Sequence, residues 1–182
     1  MAPEPLTRIT LGAASVAEDL GYVALCDLAS VVGAENAEHR VIGGHMVTAL
    51  VARRGLGAEL LRETADSDLG VPPMVITGGN LLGRLRDLGY EQIAGNRFVR
   101  EVTDVPLQLA GADREERRAV IDVLIPAYTS RARQNRRLGE DFVTTEVPGL
   151  AFALKRPAIE LDLELTRLNG DVLDLRLAFP DE

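Results

Sequence analysis

Between residues 14 and 33, "ASVAEDLGYVALCDLASVVG", apolar side chains fall at Val16, Leu20, Val23, Leu28 and Val31. That spacing predicts a helix, with Gly33 as its stop. The short run "HRVIGG" predicts a strand ending in glycine, and "HMVTALVARRG" a second helix closed by Gly55. "DSDLGV" begins a strand that Pro72 and Pro73 end, because proline supplies no ladder donor. "GNLLGRLRDLGY" predicts an amphipathic helix stopped at Gly89, and "YEQIAGNRFVREV" a hairpin about Gly95–Asn96. "ADREERRA" reads as a polar loop, "AVIDVLIP" as an apolar strand with one aspartate inside, and "TSRARQNRRLGED" as an arginine-rich loop. "AIELDLELTRLNGDVLDLRLAF" alternates strictly around Asn169–Gly170 and predicts an additional C-terminal β-hairpin. Residues 1 to 13 contain proline and glycine and read as an irregular lead-in. The order, α-β-α-β-α-β-β-β and then further strands, shows no repeat and no linker. It predicts one α+β domain over residues 1–182, a mixed β-sheet flanked by helices.

Composition narrows the partners. The chain has 182 residues, 46% hydrophobic and 26% charged, which suits one packed core. Tryptophan is absent and aromatics make up only 4%, so aliphatic side chains must fill that core. The formal net charge of −8 argues against nucleic-acid binding by charge alone, although a local basic groove stays compatible with it. All basic residues except Lys155 are arginines. Cys26 is the only cysteine, so no intrachain disulfide forms; it sits on a helical face and reads as a core residue. No apolar run reaches transmembrane length, and "MAPEPLTRIT" lacks the order of a signal peptide, so the expected location is cytoplasmic, with no membrane partner.

The chemistry concentrates in acids. On a strand, Asp66 and Asp68 project to one face and Ser67 and Leu69 to the other. Two neighbouring carboxylates repel unless a cation stands between them, and hard oxygen donors suit Mg2+. Taken alone, the pair also reads as two solvated acids at a strand start. Asp122 strengthens the metal reading: an aspartate in an apolar, internal strand is costly to bury unless it is paired or bound to a metal. If the two strands are neighbours, three carboxylates converge and could hold two Mg2+ ions. At Gly43–Gly44 the chain leaves a strand and enters a helix, so bare backbone amides could receive phosphate, though taken alone the pair reads first as an ordinary strand-to-helix turn. The spacing matches neither a Walker A loop nor a Rossmann fingerprint. His45 follows the pair and is a candidate phosphate or metal contact or a plain helix-start histidine. "TGGN" at 77–80 reads as a helix entry capped by Thr77 or Asn80. Arg131, Arg133, Arg136 and Arg137 suit a polyphosphate or RNA backbone, or form a solvated loop.

Strand, Gly-Gly, helix, Asp-x-Asp and a distant third aspartate together resemble the polymerase-beta-like nucleotidyltransferase superfamily. More narrowly they resemble its AbiEii/AbiGii-type and MenT-like branch, which includes toxins of toxin–antitoxin pairs. The matched positions are Gly43, Gly44, Arg62, Thr64, Asp66, Asp68 and Asp122, and the likeness spans roughly residues 15 to 126. The resemblance implies a nucleotidyltransferase-like sheet and an enzyme that moves an NMP from an NTP to an acceptor hydroxyl. It implies Mg2+ on Asp66, Asp68 and Asp122, and NTP contacts from Gly43, Gly44, Arg62 and Thr64, beside which His45 stands as a candidate from its position alone. A tRNA 3′ end is the acceptor it suggests, with a cognate antitoxin protein as partner. The alternatives are a small-molecule, antibiotic-type transferase and a non-catalytic relative that binds a nucleotide or a protein. Two departures stand out. Ser67 replaces a commoner apolar residue, and the pattern ends at "LRLAFPDE" without the branch's C-terminal helical region.

Overall fold

The computed structural model describes residues 7–55, 64–105, 117–129, 131–139 and 142–181. Helix α1 (Val16–Glu35) begins at Ser15, whose hydroxyl accepts from the Glu18 amide, while the Glu18 carboxylate reaches back to the Ala14 amide at 2.7 Å. It runs through Gly33, the expected stop, and ends where Asn36 takes the left-handed conformation with φ 46°. Gly33 keeps a negative φ with open space around it, so it continues the helix, and Asn36 supplies the cap.

Strand β2 (Arg40–Ile42), helix α2 (Gly43–Arg53) and strand β3 (Asp66–Gly70) follow the expected order. The proline pair ends β3 as predicted. It also opens a short helix α3 (Pro73–Gly78), because proline is well placed in a first helical turn. Thr77 bonds back to the Pro73 carbonyl, and Asn80 makes no side-chain cap for α4 (Leu81–Asp87), so the expected caps are not formed. The hairpin β4 (Glu91–Ala94) and β5 (Arg97–Glu101) turns at Gly95–Asn96, with Gly95 at φ 46°. Strand β6 (Arg118–Pro126) carries Asp122. Part of the expected arginine loop is extended instead: β7 (Arg136–Leu138) pairs with β8 (Phe142–Thr144), and Phe142 stacks on Phe98 with ring centroids 6.2 Å apart. Strand β9 (Glu146–Val147) and helix α5 (Leu150–Lys155) were not expected, being only two and six residues long.

The main sheet runs β2-β3-β6-β5-β4, with β9 also on β6. Strands β3 and β6 are parallel; the other pairs on that path are antiparallel. A second, three-stranded sheet corrects the expectation at both ends of the chain. The supposed lead-in contains strand β1 (Thr7–Gly12), which lies parallel to β10 (Ala158–Thr166), and β10 pairs with β11 (Val172–Pro180) around the predicted turn. The C-terminal hairpin is thus two thirds of a sheet. The class is mixed α+β, with mixed sheets flanked by helices.

Helix α1 lies between the two sheets and touches β3, β6 and β11. It is therefore apolar on more than one side: Leu20, Leu25, Leu28, Val31 and Val32 are all buried. Each such leucine contributes about 1.5–3 kcal/mol of burial. Two polar ties join the sheets. The Ala178 amide donates to His39 Nε2 at 3.2 Å while His39 Nδ1 donates to the Ala37 carbonyl at 2.8 Å, which fixes a neutral ring. Buried Arg167, in the β10–β11 turn, pairs with fully buried Asp19 of α1 at 2.8 Å and also with Asp104.

Candidate functional site

The strand register builds the site. Ile42 of β2 stands opposite Asp68 of β3, Asp68 opposite Asp122 of β6, and Asp122 opposite Arg97 of β5. This transverse row crosses four strands, and the period of two puts Asp66 on the same face. The other face belongs to α1: Ser67 Oγ donates to the Gly21 carbonyl at 3.4 Å, and Arg100 pairs with Asp27 at 2.6 Å. Parity therefore sorts the strand residues. Ser67, Leu69, Ile121 and Val123 line the core, while Asp66, Asp68, Asp122 and Arg97 project outward. Ser67, which departs from the apolar residue expected there, is fully buried with its hydroxyl satisfied.

Arg97 organises two of the three acids. Its Nη2 lies 2.7 Å from Asp66 Oδ2 and 2.7 Å from Asp122 Oδ2, and its Nε reaches Asp122 Oδ1 at 3.2 Å. Asn96 Nδ2 adds a bond to Asp122 Oδ1 at 2.9 Å. Asp122 is 7% exposed, and these donors account for its burial. Asp68 is different. Among the described residues no hydrogen-bond donor reaches its carboxylate. Burial, then repulsion from Asp122 and Asp66, pushes its carboxyl up to about 6, against the opposing pull of Arg97.

Gly43 completes the row. It is exposed, has φ +69°, and opens α2 directly after Ile42. A Cβ built on it would stand 2.0 Å from Asp68 Oδ2, so only glycine allows this carboxylate to approach the helix start. Gly44 is crowded by Thr64, whose Oγ1 would lie 2.1 Å from an added Cβ. The glycine pair thus packs against the segment that leads into the two aspartates. His45 turns away, toward α1: its ring abuts Gly21, it is 5% exposed, and its Nε2 has no partner. Burial pulls its pKa down to about 4 and keeps it neutral. It serves as a packing residue between α1 and α2. Arg62 lies outside the described residues.

Three outward carboxylates on adjacent strands are the hard oxygen donors that a divalent cation takes, and unpaired Asp68 is the kind of ligand that gains from one. The donor type fits Mg2+. As the side chains stand, no three His, Cys, Asp or Glu residues among those described are arranged to hold an ion, and Arg97 sits between Asp66 and Asp122. A groove of about 600 Å³ lies elsewhere, between α1, His39, Arg40 and β11, and none of the acidic row lines it. The acidic row lies on a sheet face outside that groove.

Arg97 and Asn96 are the residues that sequence reasoning missed. The Gly95–Asn96 turn could be read from the chain, but only the pairing of β5 with β6 brings these side chains to Asp122. Arg131, Arg133 and Arg136 are exposed, and Arg133 is fastened to Glu146 through its backbone amide at 3.0 Å. Cys26 is half-buried against the core, and burial raises its pKa, as for a packing thiol. Among the described residues no helix is long and apolar enough to cross a membrane. No protein-family model, curated protein or solved structure matches this chain.

Proposed function

We propose that the chain is a metal-dependent nucleotidyltransferase of the AbiEii/AbiGii (MenT-like) kind, moving an NMP from an NTP to an acceptor hydroxyl. The observation that carries the reading is the register placing Asp68 opposite Asp122, with Asp66 on the same face and Gly43 at the end of the row. Asp66, Asp68 and Asp122 would hold Mg2+, which supplies charge neutralisation on the phosphates and activation of the hydroxyl. The exposed Gly43 amide and the start of α2 receive phosphate oxygens, with Gly44 held in place by Thr64. Asn96 fixes the orientation of Asp122. Asp122, so oriented, would accept the attacking hydroxyl's proton. The acceptor oxygen then bonds to the α-phosphorus, and the bond to the departing pyrophosphate breaks.

The acceptor favoured by the resemblance is a tRNA 3′ end, with an antitoxin protein as the controlling partner. The net charge of −8 favours a small molecule or a protein instead. One observation favours a non-catalytic reading: Arg97 already pairs with both Asp66 and Asp122, as in a structural ion cluster. The deciding experiment incubates the protein with Mg2+ and labelled ATP, GTP, CTP or UTP, each with bulk tRNA, beside an Asp66→Ala/Asp68→Ala variant. Transfer to tRNA by the native chain, falling to background in the variant, is the expected result. Label on the protein itself would redirect the acceptor. No transfer, together with neither Mg2+ nor NTP binding by calorimetry, would end the catalytic reading.

A further inference from the structure

Three carboxylates and one guanidinium share the outward face, so at full ionisation 3 − 1 = 2 negative charges remain uncompensated. Arg97 spends its donors on Asp66 and Asp122, and Asp68 gets none. The Arg97 side chain is 42% exposed, so its guanidinium can leave for water without crossing the core. It also stands at the start of β5, directly after the Gly95–Asn96 turn.

We propose that Arg97 is a displaceable counter-cation: a divalent ion takes its place on Asp66 and Asp122, and the freed guanidinium then pairs with the nucleotide's phosphates. The inference rests on the nucleotidyltransferase reading of the same face. Nη2 of Arg97 stands between Asp66 Oδ2 and Asp122 Oδ2, so an ion seated between those two oxygens takes the guanidinium's position, and the two cations repel each other. A planar fork of donors suits phosphate as well as carboxylate, so exchanging one for the other leaves the guanidinium satisfied. In the metal-free protein Arg97 restrains the repulsion within the row. When metal arrives, the same side chain becomes a phosphate contact. Metal entry and nucleotide recognition are thereby coupled through one residue.

The test uses the full chain and Mg2+ or Mn2+ alone, by calorimetry, on the native protein, Arg97→Gln, Arg97→Lys and Asp66→Asn/Asp68→Asn. Removing the competitor should tighten metal binding about tenfold or more in Arg97→Gln, with Arg97→Lys between it and the native protein. Arg97→Gln should also melt below the native protein in EDTA and recover when metal is added. With metal present, Arg97→Gln should bind a non-hydrolysable NTP analogue about tenfold more weakly. A second readout needs no destabilised variant. The NMR signal of Arg97 Nε–H, identified by its absence in Arg97→Lys, should move as Mg2+ is added to the native protein. Equal metal affinity in native protein and Arg97→Gln, or an unmoved Arg97 signal at saturating Mg2+, overturns the counter-cation role and leaves the metal site standing. Absence of metal binding in every variant overturns the nucleotidyltransferase reading, and this inference with it.

Discussion

Two arginines each hold two aspartates, and they do different work. Arg167 is 5% exposed; it grips fully buried Asp19 and, at its other end, Asp104, and the Leu168 amide donates a further bond to Asp19 at 2.9 Å. Every charged oxygen of Asp19 has a donor. Arg97 is 42% exposed, and a third carboxylate beside its pair goes without a donor. The first cluster is closed at its Asp19 end, with Asp104 open to solvent, and fastens the β10–β11 turn to α1. The second is open, over-supplied with negative charge, and aligned with a glycine that could accept no side chain. Residue type does not separate a clamp from a candidate site here. Exposure and unfinished charge balance do.

Breaking the closed cluster should produce the largest effect. Arg167→Met strands the carboxylate of Asp19 in the core and should cost about 3–5 kcal/mol in urea denaturation. Arg97→Gln, measured the same way, should cost less than that, because Asp66 stays open to water and Asn96 still donates to buried Asp122. Equal losses would erase the distinction.

Acid should sharpen the comparison without mutation, since His45 packs α2 against α1 beneath the open row. Its unfolded pKa is about 6.5 and its folded value about 4, so the folded state binds fewer protons in between. The associated stability is complete above pH 6.5 and falls as pH drops toward 4, by about 3 kcal/mol in all. In His45→Asn this part of the acid limb should flatten.

Gly43→Ala is the next effect down. The positive φ alone costs about 1–3 kcal/mol in a residue with a Cβ. The new methyl must also push Asp68 out of the row, so metal binding should drop along with the urea midpoint.

Much of this was legible in the chain, for definite reasons. Asp66 and Asp68 announce their face by period two, and Asp122 stands out because it interrupts an apolar run. The β10–β11 hairpin was legible because Leu161, Leu163 and Leu165 alternate with Asp162 and Glu164 around a turn pair. Arg97 was not legible, because its meaning lies in the register with β6, which no local window displays. Helix α5 was missed because six residues carry too little periodicity, although its Leu150 fills the space over Gly70, 2.6 Å from where a Cβ would sit. His45 looked like a ligand because it follows the glycine pair. The rotation of the helix aims it inward instead.

Strand β1 was missed because its partner lies far along the chain, and that distance bears on how the protein is made. Thr7 pairs with Leu161, 161 − 7 = 154 positions later. At ordinary translation speeds, about 5–20 residues per second, the first strand waits roughly 10–30 s for its neighbour to be synthesised. The main sheet, with its acidic row, is spelled out well before then. The nascent chain can therefore assemble its central sheet while strand β1 is still an unpaired β edge, a form exposed to wrong pairing. Closing the small sheet is a late, long-range step, and the arrival of residues 158 to 166 sets its earliest moment.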